Sequence, residues 1–221
     1  MSMTRKTHIL LKAESGISRI EFRHWLLTDY APRKLALLGG AKRVALLLAD
    51  TGSPFEVDGT GDYIPLYDAI IEIWGDNQVM RADVELSVRA IADIRDVQEM
   101  IVKDDGATRP VGRTPGVVLL SLNIPLPGAP YQETLRHWRE HRPLALEIHH
   151  GMNRYVQNIY PHEPVRIPHY FGAAHLHFPD FEQLPMALFR SAEDVRRIDE
   201  DVREFVVDSP VFFATEYIVK T

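Results

Sequence analysis

Apolar residues along the chain fall into strand-length runs separated by stretches with helical periodicity. The first half contains four such runs, at residues 7–13, 42–49, 67–74 and 97–103. Two helices are predicted between them, at residues 18–38 and 84–91. Ser18 and Glu21 have the spacing of a capping box at the start of the first helix. The first half therefore has the order strand, helix, strand, strand, helix, strand.

The second half repeats this order. Its predicted strands are residues 117–124, 153–160, 170–178 and 211–219. One helix is predicted over residues 131–149, with an interruption near Pro143. Ser191 and Asp194 have the spacing of a capping box for a second helix. Apolar residues then recur at helical spacing, at Val195, Ile198, Val202 and Phe205.

Short motifs also recur in the same order in both halves. Arg-His-Trp at residues 23–25 returns at residues 136–138, and Ile-Val-Lys at residues 101–103 returns at residues 218–220. These recurrences favour an internal repeat. We predict a first repeat at 1–104, a linker at 105–116 that is rich in Gly, Pro and charge, and a second repeat at 117–221.

A β-α-β-β-α-β unit is the ferredoxin-like arrangement, in which helices cover one face of a four-stranded antiparallel sheet. A single unit would expose the apolar residues of its other face. The sequence therefore predicts an α+β fold with two ferredoxin-like repeats packed sheet to sheet, as an internal pseudo-dimer. The space between the sheets is the predicted ligand cavity.

The helix end Glu-His-Arg-Pro-Leu at residues 140–144 follows Leu135 and Trp138. It resembles the EthD family of the dimeric α+β-barrel superfamily, whose helix motif is an aromatic residue followed by His-x-Pro-Leu. Residues 214–217, Ala-Thr-Glu-Tyr, resemble the family's last strand. In the first half, Tyr-Ala-Pro at residues 30–32 stands where His-x-Pro would be.

The resemblance implies the barrel fold and places His141 at a helix end near the cavity mouth. The superfamily includes monooxygenases, polyketide cyclases, isomerases, dehydratases and haem-binding enzymes, so the fold leaves the activity open.

Composition narrows the function classes. The chain has 221 residues, 45% of them hydrophobic and 25% charged, with a net charge of −6, so a nucleic-acid partner is not expected. The absence of cysteine excludes disulfides, thiolate metal sites and a cysteine nucleophile. No signal-peptide pattern or apolar run of membrane-spanning length is found, which predicts a cytoplasmic protein without a membrane partner.

Eight of the ten histidines lie after residue 130, which indicates that the second half supplies the chemistry. Period-two alternation predicts that His169, Phe171, His175 and His177 point into the cavity from one strand. The matching strand of the first half presents Glu72 and Trp74 to the same space.

His175, His177 and Glu72 form a candidate acid–base group, with Trp74, Phe171 and His169 as substrate contacts. The alternative interpretation is that these histidines are exposed at a strand end and have no catalytic role. The His-x-His pair is also compatible with a metal site completed by Glu72 or His169. No residue pattern selects a haem ligand, so we predict no cofactor while leaving metal and haem open.

His141 is a further acid–base candidate, and Tyr30 in the matching position would stabilise negative charge on a substrate oxygen. The alternative for His141 is stabilisation of a helix C-terminus. Arg43 and Arg154 occupy matched strand positions. They either orient a substrate carboxylate or enolate, or form structural ion pairs.

These observations predict a small cofactor-free lyase, cyclase or isomerase that dehydrates, cyclises or isomerises an apolar or aromatic carbonyl compound. Two alternatives remain. One is an oxygenase, cofactor-free or haem-dependent, that uses the same cavity. The other is a non-catalytic accessory protein that binds a hydrophobic ligand. The expected oligomeric state is a monomer with an internal pseudo-dimer, or a homodimer of it.

Overall fold

A computed structural model describes residues 5–50, 65–75, 89–163 and 167–221. Within these ranges the strands are β1 (Lys6–Ala13), β2 (Ala41–Ala49), β3 (Ala69–Gly75), β4 (Ala90–Lys103), β5 (Gly112–Arg113), β6 (Val117–Pro125), β7 (Arg154–Ile159), β8 (Gly172–Phe178), β9 (Val206–Asp208) and β10 (Val211–Lys220). The helices are α1 (Arg19–Trp25), α2 (Tyr131–Glu140), α3 (Arg142–Ile148), α4 (Leu184–Leu188) and α5 (Ala192–Val202). A π-helical segment, Leu26–Leu35, continues α1.

Eight antiparallel strands close into a barrel in the order β10-β2-β3-β1-β4-β7-β8-β6, with β6 pairing again with β10. The first half contributes the order β4-β1-β3-β2, and the second half contributes the matching order β10-β6-β8-β7. The halves meet at two ladders, β4 with β7 and β10 with β2. The fold is therefore the predicted intramolecular α+β barrel with two ferredoxin-like sheets.

Period-two alternation separates the inside of the barrel from its helix-covered outside. On β1, Ile9 and Leu11 join the apolar cluster under α1, whereas Leu10 joins the cluster inside the barrel. On β6, Leu119 packs under the second-half helices and Leu120 packs inside. The molecule thus has one core inside the barrel and one beneath each helical layer.

Local sequence signals explain the helix boundaries. Ser18 Oγ accepts a hydrogen bond from the Glu21 N–H, and the Glu21 carboxylate accepts one from the Ser18 N–H, as the capping box predicts. Ser191 Oγ accepts from the Asp194 N–H at the start of α5. Pro143 lies in the first turn of α3, where its missing N–H costs no helical hydrogen bond.

The helix predicted at 84–91 is wrong at its C-terminal end, because Ala90 and Ile91 belong to β4. Residues 84–88 lie outside the described part of the chain. Ala90 pairs with Ala13 at the far end of β1, and the ladder with β1 fixes this segment as strand. Of the helices in the described ranges, none has the length and hydropathy that a membrane crossing requires.

Gly172 gives a direct test of packing between the sheet and the second-half helices. A Cβ at this position would lie 2.6 Å from the Trp138 ring and 2.7 Å from the Asn158 carbonyl oxygen. We expect Gly172→Ala to destabilise the fold by about 1–3 kcal/mol, because the ring and the strand cannot both move away. Thermal or urea unfolding measures the change.

Gly39→Ala is the matched control, since a Cβ there meets nothing within 4 Å. Equal stability of the two variants would contradict the packing argument.

Candidate functional site

A charged network occupies the barrel interior around Glu72 of β3, whose exposure is 3%. Glu72 Oε1 lies 2.7 Å from Lys6 Nζ and 2.9 Å from His8 Nε2. Lys6 Nζ also donates to Glu99 Oε1 at 2.7 Å and to Asn158 Oδ1 at 2.8 Å. One buried ammonium therefore has three oxygen acceptors, which compensates its removal from water.

His175 and His177 of β8 extend this network. The His175 ring stacks on His8 with centroids 5.3 Å apart, and its Nδ1 lies 3.5 Å from Glu72 Oε1. Arg154 Nη2 lies 2.6 Å from the ring nitrogens of His177 and 2.7 Å from Glu216 Oε1. Among the described residues, His175 Nε2 is buried without a hydrogen-bond partner.

Most of the residues predicted from the sequence meet at a small cavity of about 60 Å³ at one end of the barrel. Its walls include six of the ten predicted residues: Arg43, Glu72, Trp74, Arg154, His175 and His177. Lys6 and Arg43 lie over the Trp74 ring, 4.4 and 4.5 Å from its centroid. The volume is enough for a few water molecules and too small for an aromatic substrate.

Burial determines the charge states in this network. Burial lowers the pKa of His175 and of His177 well below the usual value, and nearby cations add to this effect, so both rings are neutral. Burial alone would raise the pKa of Glu72. Lys6 and the hydrogen bond from His8 more than offset that effect and hold the Glu72 pKa well below its usual value.

His8, Glu72 and His175 offer ligand atoms that all lie within 4.8 Å of one another, which is close enough for a metal ion. The Lys6 ammonium, however, already contacts the Glu72 carboxylate at Oε1. A second cation there would meet a buried positive charge, so these residues do not fit a metal site.

A larger cavity, about 560 Å³, lies between the outer face of the second-half sheet and the helices that cover it; we name it the helix-side cavity. Most of its wall is apolar, from residues including Leu119, Trp138, Leu176, Ile198, Phe205 and Phe213. Polar side chains reach this wall at a few points: Ser121, Asn123, His141, His149, Tyr155 and Ser209. A substrate-sized space with few polar groups is typical of small-molecule sites.

His141, between α2 and α3, carries the clearest acid–base geometry in this wall. Its Nδ1 lies 2.5 Å from Asp201 Oδ2 on α5. Burial lowers the pKa of His141, although the Asp201 carboxylate opposes the shift. The ring is therefore a neutral base at pH 7, with Nδ1–H donated to Asp201. Its Nε2 has no hydrogen-bond partner within the described ranges.

Two further polar side chains face the helix-side cavity. His149 Nδ1 donates to the Leu188 carbonyl at 3.0 Å, and burial lowers the pKa of His149 to about 4. The Tyr155 hydroxyl accepts from Gln157 Nε2 at 3.0 Å, and burial raises the pKa of Tyr155 to about 12. Both groups are uncharged at pH 7, which suits an apolar cavity.

Three predicted residues lie away from both cavities. Tyr30 packs against Trp25 in the first-half helical core, with ring centroids 4.9 Å apart. His169 is half-buried beside His162, at a ring distance of 5.6 Å. Phe171 packs edge-on against Trp138, on the helix side of the sheet. Its predicted inward orientation is wrong because regular strand pairing of β8 begins at Gly172.

Sequence reasoning missed three wall residues, Asn123, His149 and Tyr155, and also Asp201, which contacts the wall residue His141. Asp201 lies three residues after Ile198, on the apolar side of α5. A charged residue on the apolar face of a predicted helix could have indicated a functional position. Asn123 follows Ser121 on the helix-facing side of β6, where polar residues interrupt an apolar alternation. His149 is the last residue of the helix predicted over residues 131–149, and no motif at that position indicates a site.

The barrel and its helix-side cavity define a single-chain protein of the dimeric α+β-barrel fold. No protein-family model matches the sequence. A sequence search of curated proteins also returns no match.

Solved structures share the fold at low sequence identity. A proposed monooxygenase from Fusobacterium nucleatum aligns over 100% of this chain and 94% of its own, with 14% identity and a TM-score of 0.51. An anthrone oxidase-like protein aligns over 99% and 94%, with 10% identity and a TM-score of 0.58. A proposed monooxygenase from Lactobacillus acidophilus aligns over 96% and 94%, with 9% identity and a TM-score of 0.51. At these identities the likeness concerns the fold alone.

The buried neutral histidines predict a pH-dependent stability. Below pH about 6.5 the unfolded chain protonates its histidines, whereas His175, His177 and His149 stay neutral in the fold. The free energy of unfolding should therefore fall from pH 7 to pH 5, by up to about 1.4 kcal/mol per pH unit for each such histidine. Urea unfolding at several pH values measures this slope.

His177→Gln should reduce the slope, and His137→Gln on the partly exposed face of α2 should not. A stability that is constant between pH 7 and pH 5 would contradict the assigned neutral states.

Proposed function

We propose that this protein is an enzyme that binds an apolar or aromatic carbonyl compound in the helix-side cavity and removes a proton from it. The observation that carries this proposal is the His141–Asp201 pair in the wall of a substrate-sized apolar cavity. The sequence analysis predicted the site in the space between the sheets, but only about 60 Å³ is open there. The proposed site is instead the helix-side cavity, on the outer face of the second-half sheet.

In the proposed step, His141 Nε2 takes a proton from a C–H that a carbonyl acidifies, directly or through a conjugated ring, or from a phenolic O–H of the substrate. The bonding pair stays on the substrate as an enolate or phenolate, and Asp201 stabilises the imidazolium that forms. The Tyr155 hydroxyl accepts from Gln157, which leaves its proton for the developing oxyanion.

The fate of the enolate distinguishes two reaction classes. Return of the proton to another atom gives isomerisation, and loss of a hydroxyl group as water gives dehydration or accompanies cyclisation. Reaction with O₂ instead converts a CH₂ group to C=O and releases one H₂O. The second candidate, cofactor-free oxygenation, is favoured by the names of the three fold neighbours, two proposed monooxygenases and an anthrone oxidase-like protein.

Haem does not fit the helix-side cavity. The described wall residues include no lysine or arginine that would bind its two propionates.

We also propose that the two halves, 1–104 and 117–221, are EthD-like repeats joined by a linker at 105–116. The matching strand orders of the halves support a duplication. In the second half, His141 and Pro143 of the EthD-like motif lie at the junction of α2 and α3, and His141 contributes to the cavity wall.

Deprotonation can be measured separately from the later steps. Anthrone, whose CH₂ group lies opposite its carbonyl, is the probe, and exchange of these hydrogens in D₂O under nitrogen is followed by NMR. We expect the protein to accelerate exchange and His141→Gln to reduce the enzymatic rate by roughly 10²–10⁴-fold. Below the lowered pKa of His141 the rate should fall as the base protonates, and above it the rate should be constant.

His137→Gln is the matched control, because His137 lies on the same helix one turn earlier and outside the cavity wall. In air, O₂ uptake with anthraquinone formation would identify the oxygenase, and exchange without O₂ uptake would favour the lyase or isomerase classes. An exchange rate that His141→Gln leaves unchanged would refute the proposal. Saturable anthrone binding without exchange would favour a binding protein.

A further inference from the structure

A chain of hydrogen bonds leads from Arg142, the first residue of α3, to Tyr155 in the wall of the helix-side cavity. Arg142 Nε donates to Gln157 Oε1 at 2.8 Å, and Gln157 Nε2 donates to the Tyr155 hydroxyl at 3.0 Å. Gln157 Nε2 also donates to the Trp138 carbonyl oxygen at 3.0 Å. Tyr155 and Gln157 are two residues apart on β7, so their side chains lie on the same face of the sheet.

The partners of the Gln157 amide determine its orientation. An arginine side chain only donates and a main-chain carbonyl only accepts, so Gln157 presents its oxygen to Arg142 and its NH₂ group to Trp138. The same NH₂ group faces the Tyr155 hydroxyl, which therefore accepts. Gln157 offers no acceptor to the Tyr155 O–H, and the described residues supply no other. This proton, on a residue that is 1% exposed, is left for an acceptor atom of a ligand.

Arg142 is held in this position at a cost in stability. No carboxylate of the described residues forms an ion pair with it, and its Nη2 is buried without a hydrogen-bond partner. Burial lowers the pKa of the Arg142 guanidinium, which shows that its removal from water is not compensated by a counter-ion. Because a buried donor without a partner destabilises a fold, packing does not explain an arginine here.

Arg142 and Gln157 both act on the Tyr155 hydroxyl. Burial raises the pKa of Tyr155, and the hydrogen bond from Gln157 and the charge of Arg142 oppose that rise. Both groups therefore stabilise negative charge on the Tyr155 oxygen. A hydroxyl polarised in this way is a stronger hydrogen-bond donor.

We propose that Arg142 and Gln157 are positioning residues, which hold the Tyr155 hydroxyl as a donor to the carbonyl oxygen of the ligand. The inference rests on the proposed function in requiring a carbonyl compound in the helix-side cavity, but it requires no proton transfer. If the side chain at position 157 could accept from Tyr155, the hydroxyl would donate to it and the ligand would lose its hydrogen bond.

The carbonyl stretching vibration of a bound ketone reports this hydrogen bond directly, because the band moves to lower frequency when the oxygen accepts. Fluorenone is the probe. Infrared difference spectra of the full-length protein, recorded with and without a heavy-isotope label at the fluorenone carbonyl carbon, isolate the band, and equilibrium dialysis gives the Kd. We expect Tyr155→Phe to move the band to higher frequency and to weaken binding about tenfold, the factor expected for one hydrogen bond.

Gln157→Glu is the decisive variant. Its carboxylate still accepts from Arg142 but also accepts from Tyr155, so the band and the Kd should match those of Tyr155→Phe. Arg142→Met should move the band in the same direction, because the amide of Gln157 is then free to rotate. Arg142→Lys, which restores a donor and a charge, should return the band to its wild-type position.

Two controls separate positioning from general damage to the fold. In the Tyr155→Phe background, Arg142→Met should change the Kd less than about twofold, because Arg142 acts through the hydroxyl that is already missing. Arg139→Met removes an exposed arginine of α2 and should leave the band and the Kd unchanged. Thermal unfolding identifies the folded variants, and Arg142→Met decides if Gln157→Glu does not fold.

The outcomes separate this inference from the proposed function. A band that is the same in the wild type and in Tyr155→Phe, or that the folded Gln157 and Arg142 variants leave in place, would overturn the inference. Failure of fluorenone to bind would overturn it as well. In each case the anthrone exchange and its dependence on His141 still test the proposed function. A band that follows the variants, in a protein that does not accelerate exchange, would support the inference and refute proton removal.

Discussion

Closure of the barrel is the constraint on which the rest of the structure depends. The ladders β4–β7 and β10–β2 join the two halves and leave no free edge among the eight barrel strands. Closure also removes Glu72, His8 and Lys6 from water, so these groups must satisfy one another. Asn158 of the second half binds Lys6 of the first, which makes the charged network a property of the assembled barrel.

The same closure divides the polar residues between two environments. Inside the barrel, neutral histidines and a Lys6–Glu72 ion pair are packed around a space of about 60 Å³, which suits a structural role. Outside, the second-half helices stand away from the sheet and leave about 560 Å³ open. In the first half, Tyr30 of the π-helical segment packs against Trp25 in the corresponding layer, with ring centroids 4.9 Å apart.

Predictions from the local sequence pattern are correct where the structure depends on interactions between residues close in sequence. The capping box at Ser18 and the break at Pro143 each depend on neighbours in sequence, and each is present in the structure. Alternation also brought Glu72, Trp74, His175 and His177 correctly to one cavity. It failed at Phe171, because the residue lies just before the regular ladder of β8. It failed at Ala90 and Ile91, because pairing with β1 overrides their helical pattern.

The sequence by itself determined the order of strands and helices, their apolar faces and the pairing of two similar halves, because these follow from residue periodicity. Only the tertiary structure decided which space stays open. The volume of a cavity depends on how side chains from several helices and strands pack in the layer between them. It therefore cannot be predicted from any single segment of the sequence. His141 meets Asp201 across 60 residues of chain, and Asn123 meets Ser209 across 86, so these contacts arise only when the helices and β9 pack on the sheet.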